Sequence, residues 1–216
     1  MRKKPIVIAG IVIVVAILLW TAVRCGSRQY EEEFYAKKPV IYLYPEQETV
    51  VNVQLEFDGE LLCTYPAIES GWNVLAKPDG SLVNLADGQP YYCLFWEGSA
   101  GMDYDMSQGF VVRGSDTAAF LQEKLSYLGL TPDEANEFII YWLPQMEQNP
   151  YNFITFQKEA YTDHARLTIT PEPDSVLRVF MAYKPLEQPI NMPEQTLEPF
   201  TRTGFTVVEW GGAEVC

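Results

Sequence analysis

Residues 50–57, VVNVQLEF, decide how the folded part of this chain is built. Apolar and polar side chains alternate from Val51 to Phe57, and a period of two is typical of a β-strand that buries one face. The predicted buried side chains are Val51, Val53, Leu55 and Phe57, and the predicted exposed ones are Asn52, Gln54 and Glu56. The stretch therefore predicts a sheet with one apolar face and one solvated face.

Further strand patterns lie on both sides of this stretch. KPVIYLYP at 38–45 holds β-branched and aromatic residues between two prolines, which is typical of a strand closed by turns. Asp58-Gly59 is a hairpin signal, so the first half is predicted to form an antiparallel meander. We expect the remaining strands at 60–65, 71–77, 81–85, 91–96, 152–157, 165–170, 176–183 and 205–210. The last of these is expected to pair with the first strand of the sheet.

Two helices are predicted in the second half, at 116–128 and 132–143. Thr131 and Glu134 have the spacing of a capping box, and Pro144 is expected to kink or end the second helix. We therefore predict an α+β domain, a mostly antiparallel β-sheet with two helices packed on one face. The alternative is a β-sandwich followed by a separate small α+β unit, with the boundary in a loop at 97–109.

The N-terminal stretch PIVIAGIVIVVAILLWTAV, residues 5–23, predicts a transmembrane helix. It holds no charged residue, and at about 1.5 Å per residue it can cross a hydrocarbon core about 30 Å thick. Arg2, Lys3 and Lys4 precede it, which favours a cytoplasmic N-terminus. The expected organisation is a tail at 1–4, the helix at 5–23, a stalk at 24–37 and an extracellular domain at 38–212. A cleaved signal peptide and a lipid-modified Cys25 are the alternatives.

The charge of the chain limits its partners. Residues 24–216 carry 12 basic and 29 acidic side chains, a net charge of −17, which repels nucleic acid. The apolar fraction of 48% and the aromatic fraction of 13% are typical of a folded domain. The partners that we expect are the membrane, through residues 5–23, and a cell-wall polysaccharide or an envelope protein.

The four cysteines and the single histidine predict no metal site and no cofactor. The spacing of Cys25, Cys63, Cys93 and Cys216 matches no zinc pattern. In an oxidising exterior, Cys63 and Cys93 are candidates for a disulfide. Two buried free thiols are the alternative, because both residues lie in apolar strand-like stretches.

Candidate site residues stand at strand ends beside aromatic side chains. Glu97 and Glu209 could form the carboxyl pair of a glycosidase, which needs a separation of about 5–10 Å. His164 is a weaker catalytic candidate, because no nucleophile elbow accompanies it. Trp72 and Trp210 are candidates for a platform on which sugar rings stack.

Several longer motifs resemble an uncharacterised family found mainly in anaerobic Gram-positive bacteria, often with an N-terminal membrane segment. The motifs are KPVIYLYP at 38–45, YYCLFWEG at 91–98, LGLTPDEANEFIIYWLPQM at 128–146 and PDSVLRVFMAYKPL at 173–186. The resemblance covers about residues 38–212 and implies a cell-envelope setting. Because the family has no established activity, the resemblance implies no catalytic residue.

The sequence thus predicts a membrane-anchored, non-enzymatic extracellular module that binds a cell-wall component or a partner protein. This prediction depends on an acidic, aromatic-rich domain without a complete catalytic signature. The alternative is an envelope glycoside or wall hydrolase that uses Glu97 and Glu209.

Overall fold

Two β-sheets form most of the molecule. The computed structural model describes residues 34–101 and 103–215, which form one compact unit. The twelve strands are β1 (Phe34–Tyr44), β2 (Thr49–Phe57), β3 (Glu60–Tyr65), β4 (Trp72–Ala76), β5 (Leu82–Asn84), β6 (Pro90–Tyr91), β7 (Leu94–Ala100), β8 (Phe110–Arg113), β9 (Tyr151–Gln157), β10 (Ala165–Thr170), β11 (Ser175–Leu186) and β12 (Thr206–Glu214).

The larger sheet has seven strands in the order β3-β7-β1-β12-β11-β9-β8, and the smaller sheet has five in the order β10-β2-β4-β5-β6. All pairs are antiparallel except β11 and β12, which run parallel. The predicted pairing of the first strand with the last is confirmed, since Val40 lies opposite Trp210. Strand β1 begins at Phe34, so the end of the expected stalk at 24–37 belongs to the larger sheet.

In the part of the chain that the structure describes, three α-helices and one 3-10 helix (Gly114–Asp116) complete the fold. The α-helices are α1 (Thr117–Leu128), α2 (Pro132–Met146) and the short α3 (Glu159–Thr162). The capping box at the start of α2 is confirmed, because the side chain of Thr131 accepts a hydrogen bond from the backbone N–H of Glu134. Helix α2 continues through Pro144 to Met146. Pro144 has no N–H, so the carbonyl of Ile140 lacks its helical hydrogen-bond donor. Ile140 is 73% exposed, and water can donate to this carbonyl instead.

The larger sheet lies between two apolar cores. One core joins it to the smaller sheet and includes Leu43, Trp96 and Phe180 from the larger sheet and Val53 and Trp72 from the smaller one. The other core joins its opposite face to α1 and α2. The molecule therefore has three layers, and strand β12 is buried on both faces because it lies in the middle layer.

The predicted fold class is wrong. Strands make up 44% and helices 19% of the described residues, and the strands form two sheets where one was expected. The two helices do pack on one face, but of a sheet whose other face is covered by a second sheet. Within residues 34–101 and 103–215, no helix combines the length and the apolarity needed to cross a membrane. The expected transmembrane helix at 5–23 lies outside the described residues.

The predicted hairpin at Asp58-Gly59 is also wrong, because β2 and β3 lie in different sheets. The backbone N–H of Asp58 bonds to the carbonyl of His164, beside β10. Gly59 passes so close to β7 that a Cβ would lie 2.3 Å from the carbonyl oxygen of Ser99. The dipeptide thus carries the chain from one sheet to the other, and the first half is not a single meander.

A long crossover at 187–205 joins the parallel strands β11 and β12. Its residues Leu197 and Phe200 pack against the core on the helix side. The backbone N–H of Phe156 donates to Gln195 Oε1 at 2.9 Å, and Gln195 Nε2 donates to the carbonyl of Phe156 at 2.7 Å. The Gln195 amide thus replaces the backbone of a neighbouring strand. The Arg202 guanidinium forms an ion pair with Glu134 at the start of α2. The crossover therefore wraps the helix side of the molecule.

Candidate functional site

Glu97 and Glu209 project from opposite faces of the larger sheet. On β7, Trp96 points into the core between the sheets, so Glu97 points to the helix side. On β12, Val208 and Trp210 point to the helix side, so Glu209 points between the sheets. The two carboxylates share no cleft, and the arrangement that a glycosidase requires is not formed by this pair.

Glu209 belongs to a buried polar cluster between the two sheets. It is 1% exposed, and its carboxylate accepts hydrogen bonds from Trp96 Nε1 at 3.1 Å and from Arg178 Nε at 2.6 Å. Burial acts to lower the pKa of Arg178, but the adjacent Glu209 carboxylate outweighs it, and the net pKa lies above its usual value. The ion pair thus lies between the sheets, with Glu209 buried and Arg178 11% exposed, and each of the two charges is balanced by the other.

His164 lies directly before β10, an edge strand of the smaller sheet. Its Nδ1 is 3.7 Å from the Asp58 carboxylate, and both side chains are partly exposed. Its neighbours in the sequence, Asp163 and Ala165, complete no nucleophile arrangement around it. Cys93 packs on the helix side of the larger sheet.

The two tryptophans predicted to bind sugars are both buried. Trp72 is 2% exposed and donates a hydrogen bond from Nε1 to the carbonyl of Pro66 at 2.8 Å. Trp210 is 0% exposed and packs edge-on against Phe138 of helix α2, with ring centroids 5.3 Å apart. Neither ring can stack on a ligand, because neither ring has a solvent-exposed face.

The predicted disulfide is absent, and Cys63 and Cys93 are free thiols. Cys63 lies opposite Glu97, which follows Cys93 by four residues. At about 3.3 Å per residue this places the two cysteines about 13 Å apart, beyond the roughly 7 Å that a disulfide can span. Burial raises the pKa of the Cys93 thiol to about 11, so this cysteine is not a nucleophile near neutral pH.

The outer face of the smaller sheet carries a row of neutral hydrogen-bonding side chains. Thr170, Asn52 and Asn73 lie directly opposite one another on β10, β2 and β4. Asn52 Nδ2 donates to Asn73 Oδ1 at 2.9 Å, which fixes the orientation of both amides. Thr168 and Gln54 form a second row beside the first. Cross-strand neighbours of this kind are about 4.5–5.5 Å apart, so the rows present closely spaced donors and acceptors.

We define the amide face as Asn52, Gln54, Asn73, Thr168 and Thr170. This face continues into a cleft. The cleft has a volume of about 450 Å³, within the range of ligand sites in proteins, and is lined by residues 67–73 and 84–86. Asn73 lies at the junction, because it belongs to both the face and the cleft lining. The cleft wall beside it offers a hydroxyl and an exposed apolar side chain, from Ser70 and Leu85.

The amide face was not predicted from the sequence, although the alternating pattern of two of its strands was visible there. Alternation in β2 and β10 correctly predicts that Asn52, Gln54, Thr168 and Thr170 face outward. The sequence does not show that β10 pairs with β2, because Asn52 and its partner Thr170 are 118 positions apart in the chain. Only that pairing turns two separate polar strand faces into one surface.

The described residues hold no group of three or more acidic, histidine or cysteine side chains placed to bind a metal ion. The polar side chains of the amide face are neutral amides and hydroxyls, which hydrogen-bond both as donors and as acceptors. Such groups bind neutral, hydroxyl-bearing molecules. None of these side chains ionises near neutral pH, so they act by hydrogen bonding.

Comparison with known proteins gives one informative match. A protein of Butyrivibrio fibrisolvens, described as "Uncharacterized protein in bglA 3'region", is 39% identical over 101 residues, which are 45% of this chain and 99% of that protein. No family model and no solved structure matches the chain. Because the match is this similar and covers almost the whole of the relative, the chain belongs to the family of that Butyrivibrio protein.

Proposed function

We propose that this chain is a non-enzymatic binding module that holds an uncharged polysaccharide of the cell wall on its amide face. The proposal rests on the contrast in charge between the acidic chain and the uncharged amide face. Residues 34–216 contain 26 acidic and 10 basic side chains, yet the amide face contains none. Among the outward side chains of β10, β2 and β4, the one carboxylate is Glu56, which lies opposite Arg166.

The chemistry of an uncharged polysaccharide fits this surface. Amide and hydroxyl side chains hydrogen-bond sugar hydroxyls, and the open face accommodates a long polymer better than a closed pocket would. The adjacent cleft would hold a single ring or a substituent of the chain. An anionic polymer fits less well, because the rest of the surface would repel it. The extracellular location of residues 38–212 stays a prediction.

Binding to isolated cell-wall polysaccharide tests the proposal. The double variant Gln54→Ala/Asn73→Ala removes two exposed amides, and we expect it to weaken binding by about 1.5–3 kcal/mol, roughly 10- to 100-fold in Kd. The matched control is Asn136→Ala, which removes an exposed amide from helix α2 and should bind as the wild type does. Binding should also persist at about 0.5 M salt, because no charge pairing is involved.

Two results would contradict the proposal. Equal binding by the double variant and the control would show that the amide face is not the site. Loss of binding at high salt would show that charge, not neutral hydrogen bonding, holds the polysaccharide.

A further inference from the structure

A second cleft lies along the outer edge of strand β10. It has a volume of about 610 Å³, within the range of ligand sites in proteins, and it is lined by β10 on one side and by the start of β11 on the other. Strand β10 is the terminal strand of the smaller sheet, so among the described strands none pairs with this edge. Thr168 and Thr170 belong both to the amide face and to the lining of this cleft. The amide face therefore opens into a cleft at each end, one beside β4 and one beside β10.

The edge of β10 offers main-chain hydrogen-bonding groups to the cleft. The N–H of Asp58 donates to the carbonyl of His164, so His164 and every second residue after it direct their main-chain groups toward β2. Leu167 and Ile169 alternate with these residues and direct their N–H and C=O groups away from β2. Both residues line the cleft. A ligand in the cleft can therefore bond to a main-chain donor and a main-chain acceptor.

One residue of the cleft lining has a hydrogen-bond donor without an acceptor. The side chain of Arg178 is 11% exposed, and its buried Nη2 has no partner among the described residues. Its Nε and Nη1 donate to Glu209 and to the carbonyl of Ala165, and the ring centroid of Tyr161 lies 4.8 Å from the guanidinium carbon. The guanidinium is thus held in place with one donor group left over. A buried donor without an acceptor is unfavourable, so this position favours a small acceptor, such as a carbonyl oxygen, from a ligand.

The charges around the cleft disfavour an anionic ligand. Arg178 Nε lies 2.6 Å from the carboxylate of Glu209, so the positive charge of the guanidinium is already balanced. The other charged residue of the cleft lining is Glu172, which is exposed. A carboxylate or a phosphate would therefore meet net negative charge, whereas a carbonyl oxygen is a neutral acceptor.

Apolar side chains complete the cleft and indicate what the ligand carries. Ile169 is 9% exposed and Val176 is 41% exposed, and both line the cleft. A group that combines a methyl, an N–H and a carbonyl matches this surface, because the methyl can pack on the aliphatic side chains while the polar atoms bond to the edge of β10 and to Arg178. The acetamido substituent of an N-acetylated sugar is such a group.

We propose that the cleft beside β10 receives acetamido groups, so that the polysaccharide on the amide face is a polymer of N-acetylated sugars. The inference rests on the proposed binding of an uncharged polysaccharide to that face. The two clefts flank the row formed by Thr170, Asn52 and Asn73, two strand spacings or about 10 Å apart. One sugar chain that lies across the strands can therefore contact the amide face and enter the cleft beside β10.

Titration of the ¹⁵N-labelled full-length protein with two oligosaccharides tests this inference. One is the cellulose-type tetramer of glucose, and the other is the chitin-type tetramer, in which an acetamido group replaces one hydroxyl of every unit. We expect the acetylated tetramer to bind about tenfold more tightly, which corresponds to one additional hydrogen bond. It alone should shift the amide signal of Ile169 and the side-chain Nε signal of Arg178.

The variant Val176→Tyr tests the cleft itself. Because Val176 is 41% exposed, the fold can accommodate a larger side chain there, and the tyrosine ring should fill the cleft. We expect this variant to bind the two tetramers with the same Kd. The matched control is Ile140→Tyr, at a position on helix α2 that is 73% exposed, which should keep the tenfold preference.

The inference and the polysaccharide proposal fail in different ways. If the wild type binds both tetramers equally and Gln54→Ala/Asn73→Ala weakens both, the inference is overturned and the polysaccharide proposal stands. A preference that persists in Val176→Tyr also overturns the inference. So does tighter binding of the de-N-acetylated tetramer, which indicates a cation site, or of an acetylated tetra-alanine peptide, which indicates a peptide site. If neither tetramer binds, both fail.

Discussion

The buried ion pair of Arg178 and Glu209 gives the sharpest prediction about what holds the two sheets together. The side chains are 11% and 1% exposed, and Arg178 also donates from Nη1 to the carbonyl of Ala165 at 2.6 Å. The pair therefore links β11 and β12 of the larger sheet to β10 of the smaller one. We consider Arg178→Met, Glu209→Gln and the two substitutions together.

Each single substitution leaves an unpaired charge in the interior. Such losses cost about 3–5 kcal/mol, and for a domain of this size that lowers the Tm by roughly 6–20 °C. The double variant removes both charges, while a glutamine at position 209 keeps an acceptor for the indole N–H of Trp96. We expect the double variant to cost about 3 kcal/mol less than the sum of the two single variants.

Urea unfolding followed by tryptophan fluorescence measures these free energies, since Trp72, Trp96, Trp142 and Trp210 are all buried. The matched control is Arg166→Met, which breaks an exposed pair with Asp58 whose side chains are 56% and 50% exposed and 3.7 Å apart. Exposed pairs contribute little, so this change should stay within about 0.5–1 kcal/mol. The reasoning is refuted if Arg178→Met costs as little as Arg166→Met, or if the two single costs simply add.

Two further predictions concern the packing of the larger sheet. Cys63 should be alkylated rapidly at pH 8 while Cys93 reacts slowly, because Cys63 is exposed and burial raises the pKa of the Cys93 thiol to about 11. Since the Cys93 thiol ionises at lower pH in the unfolded chain, this group lowers the stability of the fold as the pH rises toward 11. Equal alkylation rates of the two cysteines, measured by mass spectrometry, would contradict the prediction. Gly212→Ala should destabilise the protein by about 2 kcal/mol or more in urea unfolding, because a Cβ would lie 2.6 Å from the carbonyl oxygen of Met181. Gly101→Ala is the control and should be neutral, since a Cβ there would have no atom within 4 Å. Similar costs for the two variants would show that the close approach at Gly212 is relieved without strain.

The local elements of this fold were predictable from the sequence. The alternation of 50–57 correctly predicted which side chains of β2 face inward, and the spacing of Thr131 and Glu134 correctly predicted the start of α2. These features depend on interactions within one strand or one helical turn, so neighbouring residues specify them.

The layer arrangement and the site depended on contacts between distant residues. Periodicity shows that one face of a strand is buried, but not which element covers it, so β2 and β3 were assigned to one hairpin although they lie in different sheets. For the same reason Trp72 and Trp210 were expected at a ligand surface, whereas each fills a core between two layers. Thr170, Asn52 and Asn73 form one surface only because β10 pairs with β2 and β2 with β4. The sequence specified the exposed and buried faces of β2 and the start of α2, whereas β8 (Phe110–Arg113) and α3 (Glu159–Thr162) were not predicted. Tertiary packing fixed which faces meet, because burial is a property of pairs of surfaces and not of either one alone.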